Sequence, residues 1–348
     1  MPLKRLRITT AGLCLALTGL SGPALAGMGF TELAGQQGDG PVTVFFPTAG
    51  EGQRVQRGPF SPKLDLQGPP VRGNGRLVVI SHGSGGSPWT YTDLARSLID
   101  DGFIVALPRH RGDNHTDPSS PGPDSWKQRP AEVSRAIDAV ARDPRLAPLL
   151  ALDKVGMYGM SAGGHTALSL AGGRWSPARL ARHCDAHIAD DFHTCVGLST
   201  RLTGGPLDGV KKSVALAVIG QKFSDATPHT HNDPRIRAVV AGVPLAADFD
   251  MDSLATPAVP LGLVTAQRDK WLVPRFHSDR VLQACKSCEL VADLPTGGHG
   301  ALLSPPPPAD VLSPLAQDLL LDPPGFDRSQ LPAVDRKITA FMRRHLLP

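Results

Sequence analysis

From Pro41 onward, short apolar runs alternate with segments of helical spacing. PVTVFFPT (41–48) is a β-rich run stopped by Pro and Gly, and RLVVISHG (76–83) holds four consecutive apolar residues, the mark of a strand buried on both faces. Residues 90–101 predict a helix and FIVALP (103–108) the next strand. WKQRPAEVSRAIDAVAR (126–142) places Val133, Ile137 and Val140 at helical spacing. VGMYG (155–159) predicts a strand, and Ala162 to Leu170 the helix leaving it. IRAVVAGVPL (236–245), PLGLVTA (260–266) and CELVADLP (288–295) predict later strands. The tail puts Leu331, Val334, Ile338, Phe341 and Leu346 on roughly one helical face, to pack on the sheet. Strands separated by helices imply an α/β fold with a mostly parallel central sheet flanked by helices.

Two stretches break the alternation. Residues 172–235 are far longer than an ordinary helix-to-strand connection and carry Gly, Pro, His and two cysteines, so they predict a lid-like insertion. Residues 303–327, with Pro305 to Pro308 and Pro323-Pro324, predict an extended surface loop. No internal repeat is visible, and residues 27–348 are expected to form one catalytic domain.

The N-terminus has a different pattern. Lys4, Arg5 and Arg7 precede an apolar run from Ala11 to Leu20, and Ala24-Leu25-Ala26 is a small-x-small cleavage pattern. The run is too short for the roughly 30 Å of a bilayer core, so residues 1–26 predict a cleaved signal peptide, not a stable membrane anchor. Removing them leaves 33 basic against 32 acidic residues of the chain's 36 and 32. An exported, nearly neutral protein follows, secreted or periplasmic, with no basic track for nucleic acid. The 348 residues are 41% hydrophobic, enough for a large core despite 37 Gly and 34 Pro.

Export changes the reading of the cysteines. Cys14 leaves with the leader, and Cys184, Cys195, Cys285 and Cys288 remain, an even number in an oxidising compartment. Of the three possible pairings, the sequence-local one, 184–195 and 285–288, is expected. A redox role for Cys285-Lys286-Ser287-Cys288 lacks a thioredoxin-like context. His183, His187 and His193 around Cys184 and Cys195 suggest zinc, but their spacing fits no standard finger.

Gly159-Met160-Ser161-Ala162-Gly163 is a G-x-S-x-G at the end of one predicted strand and the start of a small-residue helix. That is the context of a nucleophile elbow, where neighbours larger than Gly or Ala would collide with the adjoining strand and helix. A serine hydroxyl needs a base to take its proton. His299, in Leu294-Pro295-Thr296-Gly297-Gly298-His299-Gly300, follows the last strand. Asp269 follows the strand before it, placed to orient the imidazole; Asp248 and Asp250 are rival acids. The expected oxyanion donors are the N–H groups of Ala162 and of Ser84, in Ser81-His82-Gly83-Ser84-Gly85-Gly86. His82 is expected to brace that loop, and Trp89 and Tyr91 to pack beside it.

With these motifs in order, the sequence resembles the α/β-hydrolases. More narrowly it is similar to the bacterial predicted dienelactone hydrolase group related to platelet-activating factor acetylhydrolase. The residues behind that likeness are PVTVFFPT, VVISHGSGG, DLARSLIDDGFIVALPRHRGDNHTD, WKQRPAEVSRAID and GMSAGG. The likeness runs over about 41–171 and 236–299 and omits the insertion. True dienelactone hydrolases use a cysteine nucleophile where this chain has Ser161, so their substrate is not carried over. The resemblance implies an α/β-hydrolase fold and ester hydrolysis through an acyl-enzyme, without metal or organic cofactor, on a small-molecule or lipid-like ester. A peptidase or amidase on the same triad, and a non-catalytic binding protein on the same scaffold, are the competing readings.

Overall fold

Eight strands of the chain pair into one sheet in a computed structural model that describes residues 27–36 and 38–348; the expected leader at 1–26, with Cys14, lies outside the described residues. In chain order they are β1 (Gly27–Leu33), β2 (Val42–Thr48), β3 (Leu77–Ser81), β4 (Ile104–Pro108), β5 (Val155–Met160), β6 (Ile236–Gly242), β7 (Leu261–Ala266) and β8 (Glu289–Leu294). Across the sheet they run β1-β2-β4-β3-β5-β6-β7-β8. β2 is antiparallel to both of its neighbours, and every pair from β4 to β8 is parallel.

The helices are α1 (Thr92–Asp100), α2 (Pro123–Arg142), α3 (Ala162–Leu170), α4 (Pro177–His187), α5 (Phe192–Val196), α6 (Asp208–Lys222), α7 (Met251–Leu254), α8 (Ser278–Ala284), α9 (Pro314–Leu320) and α10 (Leu331–Leu346). Every residue of β2, β3, β4, β5 and β7 is buried. The reason is visible in β3: Leu77 and Val79 join the apolar cluster formed with α2 and α3, while Val78 and Ile80 join the one formed with α1 and α10. Successive strand residues point to opposite faces, so a strand covered on both sides reads as an unbroken apolar run.

The expected strands and helices are present, with shifted ends. β6 stops at Gly242, short of the expected 245, because Val243 takes a positive φ of 35° and Pro244 follows. α1 begins only at Thr92, after a 3₁₀ turn over Pro88–Tyr91, and α2 begins three residues early with Pro123 in its first turn. β1 carries no run that announces it. Gly29 is required there by close packing, since a Cβ would lie 2.1 Å from the Phe46 ring.

The long insertion contains α4, α5 and α6, and the disulfide Cys184–Cys195 joins α4 to α5. Cys285–Cys288 is the second disulfide, so the local pairing is the observed one and the four sulfurs are bonded to one another. The 303–327 segment is more than an extended loop, which corrects the expectation: it holds a 3₁₀ turn over Ala309–Val311 and the helix α9. Ser313 accepts the Ala316 N–H at 3.3 Å and Pro314 takes the first position, a start signal that the surrounding prolines obscure. No helix among the described residues is long and apolar enough to cross a membrane.

Candidate active site

Ser161 lies at the turn from β5 into α3 with φ 59° and ψ −119°, a conformation that non-glycine residues rarely adopt. Its backbone is held on both sides. The N–H donates to Gly242 O at 3.1 Å, and the carbonyl accepts from His165 and Leu245 N–H at 3.0 and 3.2 Å. The glycines flanking it are forced by contact: a Cβ on Gly159 would lie 1.9 Å from Gly163 O, and one on Gly163 would lie 1.9 Å from Ser81 O. The tightness that the G-x-S-x-G spacing implies is therefore present in the turn.

The three expected residues meet. Ser161 Oγ is 3.0 Å from His299 Nε2, and His299 Nδ1 is 2.7 Å from Asp269 Oδ2. Asp269 Oδ1 accepts the N–H groups of Trp271 and Leu272 at 2.8 and 2.9 Å, which fixes the carboxylate. Asp269 and His299 are both buried. With Nδ1–H turned to this carboxylate, Nε2 presents its lone pair to the serine hydroxyl. The rival acids are engaged elsewhere. Asp248 pairs with His165 Nε2 at 3.0 Å, fully buried, and Asp250 pairs with Arg174 at 2.8 Å and Arg179 at 3.5 Å.

Gly83, Ser84, Ser161, Ala162 and His299 line one cleft of about 1670 Å³. Gly83 lies against Ser161, since a Cβ there would be 3.3 Å from Ser161 Cβ. Its N–H is taken by Tyr91 Oη at 3.2 Å, whereas the N–H of Ser84 has no hydrogen-bond partner among the described residues. Ala162 opens α3, and the first N–H groups of a helix have no acceptor within it. Tyr91 is buried as expected, yet it also braces the loop through its hydroxyl. Trp89 packs against Phe30 and Phe45 and lines the cleft as well.

The loop is set by buried ionic groups that were not singled out from the sequence. Asp113 Oδ1 accepts the Ser84 hydroxyl at 2.5 Å and the Gly85 N–H at 3.0 Å. Arg129 reaches Asp113 Oδ2 at 2.8 Å and the His82 carbonyl at 2.6 Å. Burial works to raise the Asp113 carboxyl, but Arg129, the Ser84 hydroxyl and the Gly85 N–H outweigh it and hold it below its ordinary value. His82 braces the loop as expected: Nδ1 donates to Gly83 O at 2.7 Å and Nε2 accepts the His110 N–H at 3.3 Å. His110 bridges Ser81 Oγ and Glu132. Burial, with Arg129 nearby, pushes both His82 and His110 well below the usual imidazole value, so both are neutral at pH 7. The signal was available in α2, where Arg129 and Glu132 share the helical face of Val133, Ala136 and Val140, the face that turns to the core.

A second buried group ties the insertion to the Asp269 loop. Asp191 Oδ2 accepts from His183 Nε2 at 2.7 Å and His277 Nε2 at 3.0 Å, and Thr194 Oγ1 donates to the Trp271 carbonyl at 3.1 Å. Of the histidines weighed as zinc ligands, His183 is thus bonded to Asp191, His187 packs on Phe276, and His193 stacks on Trp271 with ring centroids 3.9 Å apart. Compared with known proteins, the chain matches no family model and no curated protein.

Proposed function

We propose that the chain is a serine hydrolase of the α/β-hydrolase type that cleaves carboxylic esters through an acyl-enzyme at Ser161. The observation that carries this reading is the chain of contacts from Ser161 Oγ through His299 to Asp269, 3.0 and 2.7 Å long, built on a strained strand-to-helix turn. The order Ser, Asp, His along the chain, each just beyond a strand, supports the same reading.

Ser161 Oγ attacks the ester carbonyl carbon while its proton passes to His299 Nε2. The negative charge that develops on the carbonyl oxygen is held by the N–H groups of Ala162 and Ser84. The C–O bond breaks and the alcohol leaves with the proton from His299. A water then gives a proton to His299 and its oxygen to the acyl carbon, and the proton returns to Ser161 as the acid departs. Asp269 keeps the imidazole in the tautomer that accepts from serine and stabilises the imidazolium. No step calls on a cofactor. Two disulfides fit the secreted or periplasmic location expected from the leader.

The test is labelling with a fluorophosphonate followed by peptide mapping, together with hydrolysis of p-nitrophenyl esters by wild type and Ser161→Ala. Label on Ser161 and turnover abolished by Ser161→Ala are expected. An unlabelled Ser161 and no ester turnover would leave a binding scaffold in place of an enzyme.

A further inference from the structure

The exposed large apolar side chains among the described residues are not scattered: six of the ten line the cleft that holds Ser161 and His299. Single exposed apolar residues are ordinary, but a contiguous group beside a cleft marks a binding surface. Most of the group comes from one element. Leu207, Val210, Val214 and Val218 recur every three or four residues at and along α6, which puts them on one stripe. Such a stripe normally packs on a core. Here these four side chains are 44–66% exposed, and Ile219 alone of α6 is buried. Val311 and Leu320, from the proline-rich segment, line the same cleft.

Resting on the esterase reading above, we infer that the substrate is an ester of a long acyl chain, ten carbons or more, and that the chain lies along the α6 stripe. Continuity decides the occupant, because the apolar lining and the reacting groups belong to one cleft. Size points the same way. At about 1670 Å³ the cleft exceeds the roughly 300–1,000 Å³ of sites for drug-sized ligands, and an acetyl or butyryl group leaves most of it to water. Each methylene moved from water onto the stripe is worth about fourfold in kcat/KM.

The experiment measures kcat/KM for p-nitrophenyl acetate, butyrate, octanoate and dodecanoate at monomeric concentrations. The proteins are wild type, the double variant Val214→Asp/Val218→Asp, and Leu66→Asp as a control on an exposed apolar residue outside the cleft. Wild type is expected to gain with chain length up to dodecanoate. The dodecanoate-to-butyrate ratio should fall at least tenfold in the double variant and stay unchanged in Leu66→Asp. Turnover that declines beyond butyrate, or a ratio unmoved in the double variant, overturns the inference while leaving the esterase reading intact. A dimer that the double variant splits, with the ratio unmoved, assigns the stripe to a second copy and overturns it too. An unlabelled Ser161 with no turnover of any ester instead removes the esterase reading underneath.

Discussion

The guanidinium of Arg129 and the carboxylate of Asp113 lie 2.8 Å apart with neither side chain exposed, and between them they hold the loop that faces Ser161. Arg129 grips the loop at the His82 carbonyl and Asp113 grips it at Ser84 and Gly85. A glycine-rich loop has many backbone conformations open to it. Under the proposed esterase reading, fixing it with a buried ion pair places the Ser84 N–H before the substrate arrives, which is the condition for stabilising a developing oxyanion without reorganisation.

Removing one partner leaves the other charge buried and uncompensated. Asp113→Asn should cost about 3–5 kcal/mol of unfolding free energy, read from urea denaturation. Ser84→Ala is the milder probe, deleting one hydrogen bond to a charged group for about 1.5–3 kcal/mol while keeping the backbone N–H. Turnover by Ser84→Ala should fall more in kcat than KM rises, since the proposed oxyanion contact of this loop forms mainly in the transition state. A change in KM alone would assign the loop to substrate binding.

Asp269→Asn and Asp248→Asn form a discriminating pair. The first should lower kcat by about 10⁴-fold, because an amide no longer fixes the imidazole tautomer. Asp248 contacts His165, not His299, so its variant should keep kcat within severalfold and lose stability. Steady-state kinetics beside thermal denaturation separate the two. A collapse of kcat in Asp248→Asn with Asp269→Asn active would reverse the assignment of the acid.

The disulfide Cys184–Cys195 closes a loop of sequence separation 11 around Asp191, whose carboxylate binds His277 and so anchors the segment after Asp269. Cys184→Ala/Cys195→Ala should lower stability by about 2–3 kcal/mol. Loosening the anchor should also lower kcat on every ester alike, whatever the chain length. Retained kcat with lowered stability would confine the disulfide to a structural role.

Which parts of this arrangement were readable from sequence follows from range. Ser161, Asp269 and His299 each announce themselves locally, by glycines and by a preceding apolar run, and the cysteine pairs are close in sequence. The Asp113–Arg129 and Asp191–His277 contacts join residues 16 and 86 positions apart; Arg129 alone carries a signal, its place on the core face of α2, while Asp113, Asp191 and His277 look like ordinary polar residues. α6 was hidden for a different reason. Its apolar residues fall both on the exposed stripe and on the side where Ala215, Leu216 and Ile219 meet the core, so no clean division into an apolar and a polar face marks it out. β1 is interrupted by Gly27 and Gly29, and its strand character comes from pairing with β2.

Asp335, on α10, shares a second cleft with Asp93 and Arg96 of α1. Burial, then the Asp93 charge, push its carboxyl from the ordinary range near 4 up to about 7. The sign follows from proton binding. Between about pH 7 and pH 4 the native state holds this proton and the unfolded chain does not, so this group's contribution to stability rises as pH falls through that window and is lost as pH rises through 7. Asp335→Asn mimics the protonated form. It should therefore raise stability at pH 8, by about 1–2 kcal/mol once solvent screening of a partly exposed group is allowed for, and change it little at pH 5. Differential scanning calorimetry of both proteins at the two pH values reads the effect. An equal gain at both would mean that the asparagine acts through packing, and no gain at pH 8 would mean that the carboxylate is solvated in the folded chain.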